Sequence, residues 1–351
     1  MPDYSDMQLQ CPLPKLQFEQ INLGHGSGGI LTQQLLQRGV FDVLANEYLN
    51  AHHDGAILSL QGDVAFSTDS YVVSPYFFPG GNIGHLAVHG TLNDLAMCGA
   101  KPRYLSLSFI LEEGLPVAHL EEILQTIGQC CMDAGVYVVT GDTKVVERGK
   151  GDGIYINTSG IGERLSQASI HHRHIQTGDA ILLSGELAEH GMAIMSLREG
   201  LQFESDMKTD CANLAPLAND LVASFGSSIH CLRDATRGGL ASVLNEFAQE
   251  TQLGMAIQQT SIPVRETVAS ACELLGLDPL YVANEGKFIA VVAADQADAV
   301  LAAMQADPLG KHAARIGTVT PEHIGQVVMT SAIGGRRVVN MLPGEQLPRI
   351  C

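Results

Sequence analysis

The sequence predicts an α+β protein built from two domains, and three observations carry that expectation. At 351 residues the chain exceeds one core of roughly 150–200 residues. Strand-like and helix-like patterns mix twice along it, once in each half. Between the two runs lies a polar stretch, His171–Gly178, which reads as an inter-domain loop. With 46% hydrophobic and 17% charged residues and a slightly positive mean hydropathy, the composition is that of a globular chain.

Each element follows from local pattern. Residues 1–22 read as an irregular arm, because Pro2, Pro12 and Pro14 oppose regular structure. Residues 23–170 form the first predicted domain. It opens with the loop Gly24-His25-Gly26-Ser27-Gly28-Gly29 ahead of a helical pattern at 30–38. Ala56–Leu60 and Val64–Ser67, flanking Gln61-Gly62-Asp63, predict a hairpin. Asn82–Cys98 has helical spacing, with Asn82 as N-cap and Gly99 as the C′ residue. Tyr104–Leu111, Val136–Thr140 and Ile154–Ile161 read as strands, and Val117–Asp133 as a helix on which at most one of Cys130 and Cys131 faces the core. In the second domain, 171–338, Ala180–Ser184, Lys287–Ala293 and Arg315–Thr318 are strand candidates. Helical stretches fall near Gly191–Glu199, Leu214–Ser224, Leu240–Gln249, Val264–Leu275 and Ala297–Met304. Residues 339–351 predict an extended tail, since Pro343, Gly344 and Pro348 oppose helix, with Cys351 at its free end.

Charge and targeting narrow the function classes. Lys plus Arg total 20 against 38 Asp plus Glu, a formal charge of −18. So acidic a chain repels phosphate backbones and anionic bilayers, which disfavours nucleic acid and membrane surfaces as partners. A small anionic ligand stays possible, because glycine loops, helix N-termini and metal ions neutralise phosphate locally. No apolar run approaches the ~20 residues of a membrane helix, and the start of the chain lacks a signal-peptide pattern. The expected location is cytoplasmic, where the eight unevenly spaced cysteines read as free thiols.

Several motifs can carry chemistry. Gly26, Ser27, Gly28 and Gly29 before a helix offer exposed N–H groups that cradle phosphate, or else form an ordinary turn. Asp69 ends an apolar run, Asp94 interrupts an apolar helix, and Asp142 follows a strand two residues before Lys144. Buried carboxylates are costly unless paired or bound to a metal, so the three suit a Mg²⁺ cluster completed by water and nucleotide phosphates. Caps and turns are the plainer reading of each. Arg233-Asp234-Ala235-Thr236-Arg237-Gly238-Gly239 is an anion-site pattern or a surface ion pair. Glu285, in Asn284-Glu285-Gly286-Lys287, points from a strand end into a cleft or lies in a turn. His171-His172-Arg173-His174 lacks zinc spacing, and His25, His85 and His89 read as structural.

Taken together, these segments resemble the HypE family of hydrogenase maturation factors, within the aminoimidazole ribonucleotide synthetase superfamily. The resemblance runs from Gly24 to Cys351. It rests on His25–Gly29, Phe66–Pro75, Phe77–Ile83, Asn93-Asp94, Val139–Glu147, Arg233–Gly239, Asn284–Lys287 and the ending Pro348-Arg349-Ile350-Cys351. The ending narrows the resemblance to HypE, and no motif position departs from the pattern. The arm before Gly24 has no counterpart and receives no function.

The resemblance implies a two-domain fold whose N-terminal sheet pairs in a homodimer. It implies a dehydratase using ATP and Mg²⁺. It further implies that the carbamoyltransferase HypF carbamoylates Cys351, that the S-carboxamide becomes a thiocyanate, and that the cyano group passes to iron on the HypC–HypD complex for the nickel–iron centre. Gly26, Ser27, Gly28, Gly29, Asp69, Asn93, Asp94 and Asp142 would then bind ATP. Asp69, Asp94, Asp142 and, in addition, Asp234 would hold Mg²⁺. Lys144 and Glu285 are candidates for proton removal and for polarising the carboxamide, and Pro348, Arg349 and Ile350 present the thiol. Two alternatives remain: a selenophosphate synthetase or small-molecule kinase of the same superfamily, and a non-catalytic metal carrier or scaffold. Both leave a cysteine at the last position unexplained.

Overall fold

The computed structural model describes residues 18–51, 53–200, 207–342, 344, 347 and 349–351. Most of the expected arm, and the tail positions Pro343 and Pro348, lie outside the described residues.

Thirteen strands are assigned among the described residues: β1 Val64–Tyr71, β2 Phe77–Phe78, β3 Gly81–Asn82, β4 Ala100–Glu112, β5 Tyr137–Val146, β6 Ile154–Arg164, β7 Ala180–Leu183, β8 Ile229–Asp234, β9 Gly254–Gln258, β10 Phe288–Val292, β11 Ala314–Thr320, β12 Val327–Thr330 and β13 Arg336–Val338. The first sheet has the order β1-β6-β4-β5, antiparallel except for β4 and β5. One face packs against the helices Ile83–Met97 and Val117–Ala134. The other face carries exposed Val64, Phe66 and Ile110.

The helix Ile83–Met97 starts where capping chemistry places it. Asn82 Oδ1 accepts the Gly84 N–H at 2.8 Å, and His85 Nδ1 accepts the Asn82 N–H at 3.2 Å. This reciprocal box satisfies donors that the first turn leaves open. Gly99, at φ 71°, ends it in the left-handed region. The expected hairpin does not form. Ala56–Leu60 is not a strand, and β1 pairs over its whole length with distant β6, because that pairing buries Tyr71 and aligns eight residue pairs. Both Cys130 and Cys131 are buried, against expectation, because Leu35, Phe41, Val43 and Leu44 cover the helix from the side away from the sheet.

The second sheet has the order β13-β12-β9-β11-β7-β10-β8. Its central strands alternate between two cores. Ile181, Leu183, Ile289 and Val291 join the cluster under the helices Gly239–Thr251 and Glu266–Leu275. Ala180, Leu182, Phe288, Ala290 and Val292 join the cluster under Ala215–Phe225 and Ala297–Ala306. Period-two alternation between two covered faces reads in sequence as a continuous apolar run. The second cluster also takes in Ala96 and Met97 of the first domain, so the domain junction is itself hydrophobic core.

Candidate active site

Four carboxylates gather where the two domains meet. Asp69 comes from β1, Asp94 from the helix Ile83–Met97, Asp234 from the end of β8, and Glu285 from the turn entering β10. Asp234 pairs in register with Phe288, which brings the ends of β8 and β10 together. Asp94 Oδ2 accepts the Ser67 hydroxyl at 2.6 Å, which ties the helix to β1. Burial pushes the Asp94 carboxyl up, and Asp69 adds to the shift. Asp234 is 7% exposed and pushed up to about 7, by burial first and then by Asp94. Glu285 is displaced well upward by burial, with Asp234, Asp210, Asp69 and Asp94 adding repulsion. Its Oε1 has no hydrogen-bond partner. A set of mutually repelling carboxylates, two buried and two half-buried, is a site prepared for compensating positive charge.

The backbone around Glu285 is held from both sides. Its N–H donates to Asp210 Oδ1 at 3.0 Å, and Asp210 pairs with Lys287 at 3.2 Å. Asn93 donates to the carbonyls of Ala212 at 3.0 Å and Glu285 at 3.4 Å, and accepts the Leu214 N–H at 2.7 Å. Sequence reasoning assigned Asn93 to ATP. In the fold its amide ties the first domain to the segment carrying Glu285. Nothing in the sequence pattern singled out Asp210, which lies in an irregular stretch without periodicity.

The C-terminal residues lie in this cleft. The Val72 N–H donates to Cys351 O at 3.3 Å, the Ser74 N–H to Arg349 O at 3.2 Å, and Arg349 Nε to Val72 O at 3.1 Å. Arg198 donates to Ser74 O and Arg349 O, and Arg349 pairs with Asp152. His190 is fully buried. Its Nε2–H donates to Ile350 O at 2.9 Å, while its Nδ1 accepts the Thr209 hydroxyl at 2.7 Å. Ile350 is 2% exposed, inside the first domain's core. The free-ended thiol expected from the sequence is therefore docked. It lines a cavity of about 370 Å³ with Asp69, Ser70, Arg237, Gly238 and Ser242. Burial raises the Cys351 thiol well above its usual value, and the charge of nearby Glu285 raises it further.

The glycine loop lies elsewhere. Gly26, Gly28, Asp142 and Lys144 line a separate cavity of about 220 Å³ beside β5, floored by Leu107 and Phe109. Gly26 packs on that strand so closely that a Cβ would lie 2.7 Å from Val145 N. Ser27 and Gly29 are exposed, and the Ser27 hydroxyl donates to Gly24 O at 2.9 Å. Lys144 pairs with Asp142 at 2.7 Å on an open edge, and that pairing holds the Asp142 carboxyl below the usual range. Asp142 lies inside β5, not after a strand. Its row across the sheet runs through Ser108 and Asn157 to Ser70, three strand spacings or roughly 14 Å. One chain thus brings Asp69, Asp94, Asp234, Glu285 and Cys351 together but leaves Asp142 and Lys144 on the far edge. The expected cluster of Asp69, Asp94 and Asp142 is not assembled within a single subunit. Among the described residues no three acidic, histidine or cysteine side chains are placed to hold a metal ion by themselves.

Comparison with known proteins places this geometry in a family. AIR synthase related protein models match residues 52–164 (N-terminal domain) and 176–330 (C-terminal domain). The carbamoyl dehydratase HypE of Rhizobium leguminosarum bv. viciae is 51% identical over 332 residues, 94% of this chain and 95% of that protein. The chain belongs to the HypE family of carbamoyl dehydratases. A crystal structure of HypE in complex with ATP superposes with a TM-score of 0.91 at 49% identity, covering 94% of this chain and 99% of that one. The chain is also similar to the HypE of a HypE–HypF complex, with a TM-score of 0.78, 43% identity, and coverage of 90% and 100%. No helix among the described residues is long and apolar enough to cross a membrane.

Proposed function

We propose that this protein converts an S-carboxamide on its own Cys351 into a thiocyanate, using ATP. The observation that carries the reading is the docked tail, which sets the Cys351 thiol against the buried Glu285 carboxyl within the acidic cleft. The carboxamide oxygen attacks the γ-phosphorus of ATP, which turns a poor leaving group into phosphate. Loss of both N–H protons then expels that phosphate and leaves the C≡N group. Phosphoryl transfer asks mainly for alignment and charge neutralisation. Glu285, whose carboxyl burial and the neighbouring carboxylates push upward, becomes a competent base once positive charge enters the cleft.

The carboxylates suit a divalent cation: Asp234 and Glu285 are buried, Asp69 and Asp94 half-buried, they repel one another, and a Glu285 oxygen is unpartnered. Asp69, Asp94 and Asp234 would hold Mg²⁺, which needs only one or two carboxylates besides phosphate and water. When bound, it supplies charge neutralisation on the phosphates. Asp142 and Lys144 enter through a homodimer in this reading. Two copies pair their open N-terminal faces, and the β5 edge of one lies beside β1 of the other, next to the acidic cleft. The exposed Val64, Phe66 and Ile110 support the pairing. In the same reading HypF carbamoylates the undocked Cys351, and the HypC–HypD complex accepts the cyano group.

The test is the intact mass of the C-terminal peptide after incubation with HypF, carbamoyl phosphate and ATP. A carbamoyl adduct on Cys351 that loses one water only with hydrolysable ATP is the expected result. An adduct that persists would indicate a carrier. No adduct from active HypF would favour a small-molecule kinase.

A further inference from the structure

We propose that the tail groove is a peptide-binding site in its own right, and that the protein dehydrates an S-carbamoylated cysteine presented in trans by a separate chain ending in Arg-Ile-Cys. The proposal rests on the dehydratase reading above.

Recognition is concentrated in three residues. As the chain advances from Val72 to Ser74, its partner steps back from Cys351 to Arg349 through two main-chain bonds, and the Arg349 side chain donates to Val72 O. Arg349 turns the chain at φ 55°, so no β-ladder forms; the main-chain bonds supply affinity and the side-chain pockets specificity. Ile350 fills the specific pocket, with its carbonyl fixed by His190. Arg349 fills a second one, paired with Asp152 and lying 6.0 Å from the Tyr155 ring centroid. Upstream, Leu347 adds partial packing against both cores. Met341 and Leu342 are 39% and 37% exposed, and a Cβ on Gly344 would touch nothing within 4 Å. Met341, Leu342, Gly344 and Leu347 also line the cavity that holds Cys351, so the peptide used in the test has to include them. A short tether is worth an effective concentration on the order of millimolar, which a free peptide can match.

The step balances without further reagents. The peptide S-carboxamide and ATP give the peptide thiocyanate, ADP and phosphate, with the amide oxygen leaving in the phosphate. In cis each chain offers one thiol, whereas in trans one protein molecule turns over repeatedly.

The experiment uses a synthetic peptide of sequence 341–351, carbamoylated on its thiol by cyanate, with Mg-ATP. The proteins are a chain lacking residues 349–351 and the full-length Ile350→Asp variant, whose own tail leaves its pocket. We expect loss of one water from many peptides per protein chain, with KM roughly millimolar. A peptide with Asp in place of its Ile should lose at least tenfold in kcat/KM. In the wild-type protein, excess peptide ending in Ser should displace the resident tail and raise thiol labelling of Cys351 severalfold. The proposal is overturned if Cys351 of the intact protein is dehydrated while the peptide is neither converted nor able to raise that labelling. If Cys351 itself is never dehydrated, the underlying reading fails instead.

Discussion

Glu285 and Asp234 carry the pH behaviour of the cleft. Both carboxyls are raised, so the folded state holds these protons more tightly than the unfolded chain does. Their contribution to stability is full below the unfolded value near 4 and is lost as pH rises toward about 7 for Asp234. Thermal melts without nucleotide should show stability falling across that window, and Asp234→Asn should flatten the fall. Mg-ATP should drive protons out of the cluster, seen as a calorimetric binding enthalpy that depends on the ionisation heat of the buffer. Glu285→Gln keeps the shape but removes the proton acceptor. Carbamoylation of Cys351 should survive in it, while dehydration slows by roughly 10²–10⁴-fold.

At the level of elements, the helix Ile83–Met97 serves three tasks. It closes the first core, supplies Asp94, and reaches the second domain through Asn93. Asn82→Ala removes its N-cap and should cost about 1 kcal/mol, measured by denaturant unfolding. Because the helix also carries the junction, the same substitution should lower dehydration more than HypF-dependent carbamoylation. On β5, Gly141 meets the Leu107 carbonyl so closely that a Cβ would lie 2.1 Å from its oxygen. Gly141→Ala should displace Asp142 and Lys144 together, raising KM for ATP while leaving tail docking intact.

The acidic cleft and the Cys351 thiol lie beside β1, and the glycine loop, Asp142 and Lys144 beside β5, the two outer strands of one sheet. In the homodimer proposed above these two edges meet. Phe66→Glu puts a charge on the exposed face and should shift the protein to monomer in sedimentation. Dehydration should fall with it, while the fold persists, since Phe66 is two-thirds exposed within one chain.

Much of the architecture is local and was legible in sequence. The Asn82 and Gly99 caps and the β4 and β10 apolar runs follow from capping, turn and burial rules that act over a few residues. The acidic residues of the cleft were legible as costly positions, and Cys351 as an unusual ending. What pairs with what was not. The Ala56–Leu60 hairpin failed because β1 gains more by pairing with β6, nearly a hundred residues away. Asp142 separated from Asp69 because sheet order, which no local pattern encodes, set β5 three strands from β1. His190, Arg198 and Asp210 act only because the tail and the Glu285 turn come to them. Sequence alone determined the elements and the reactive groups; the tertiary structure decided which groups meet, because contacts between distant segments depend on the whole packing of the chain.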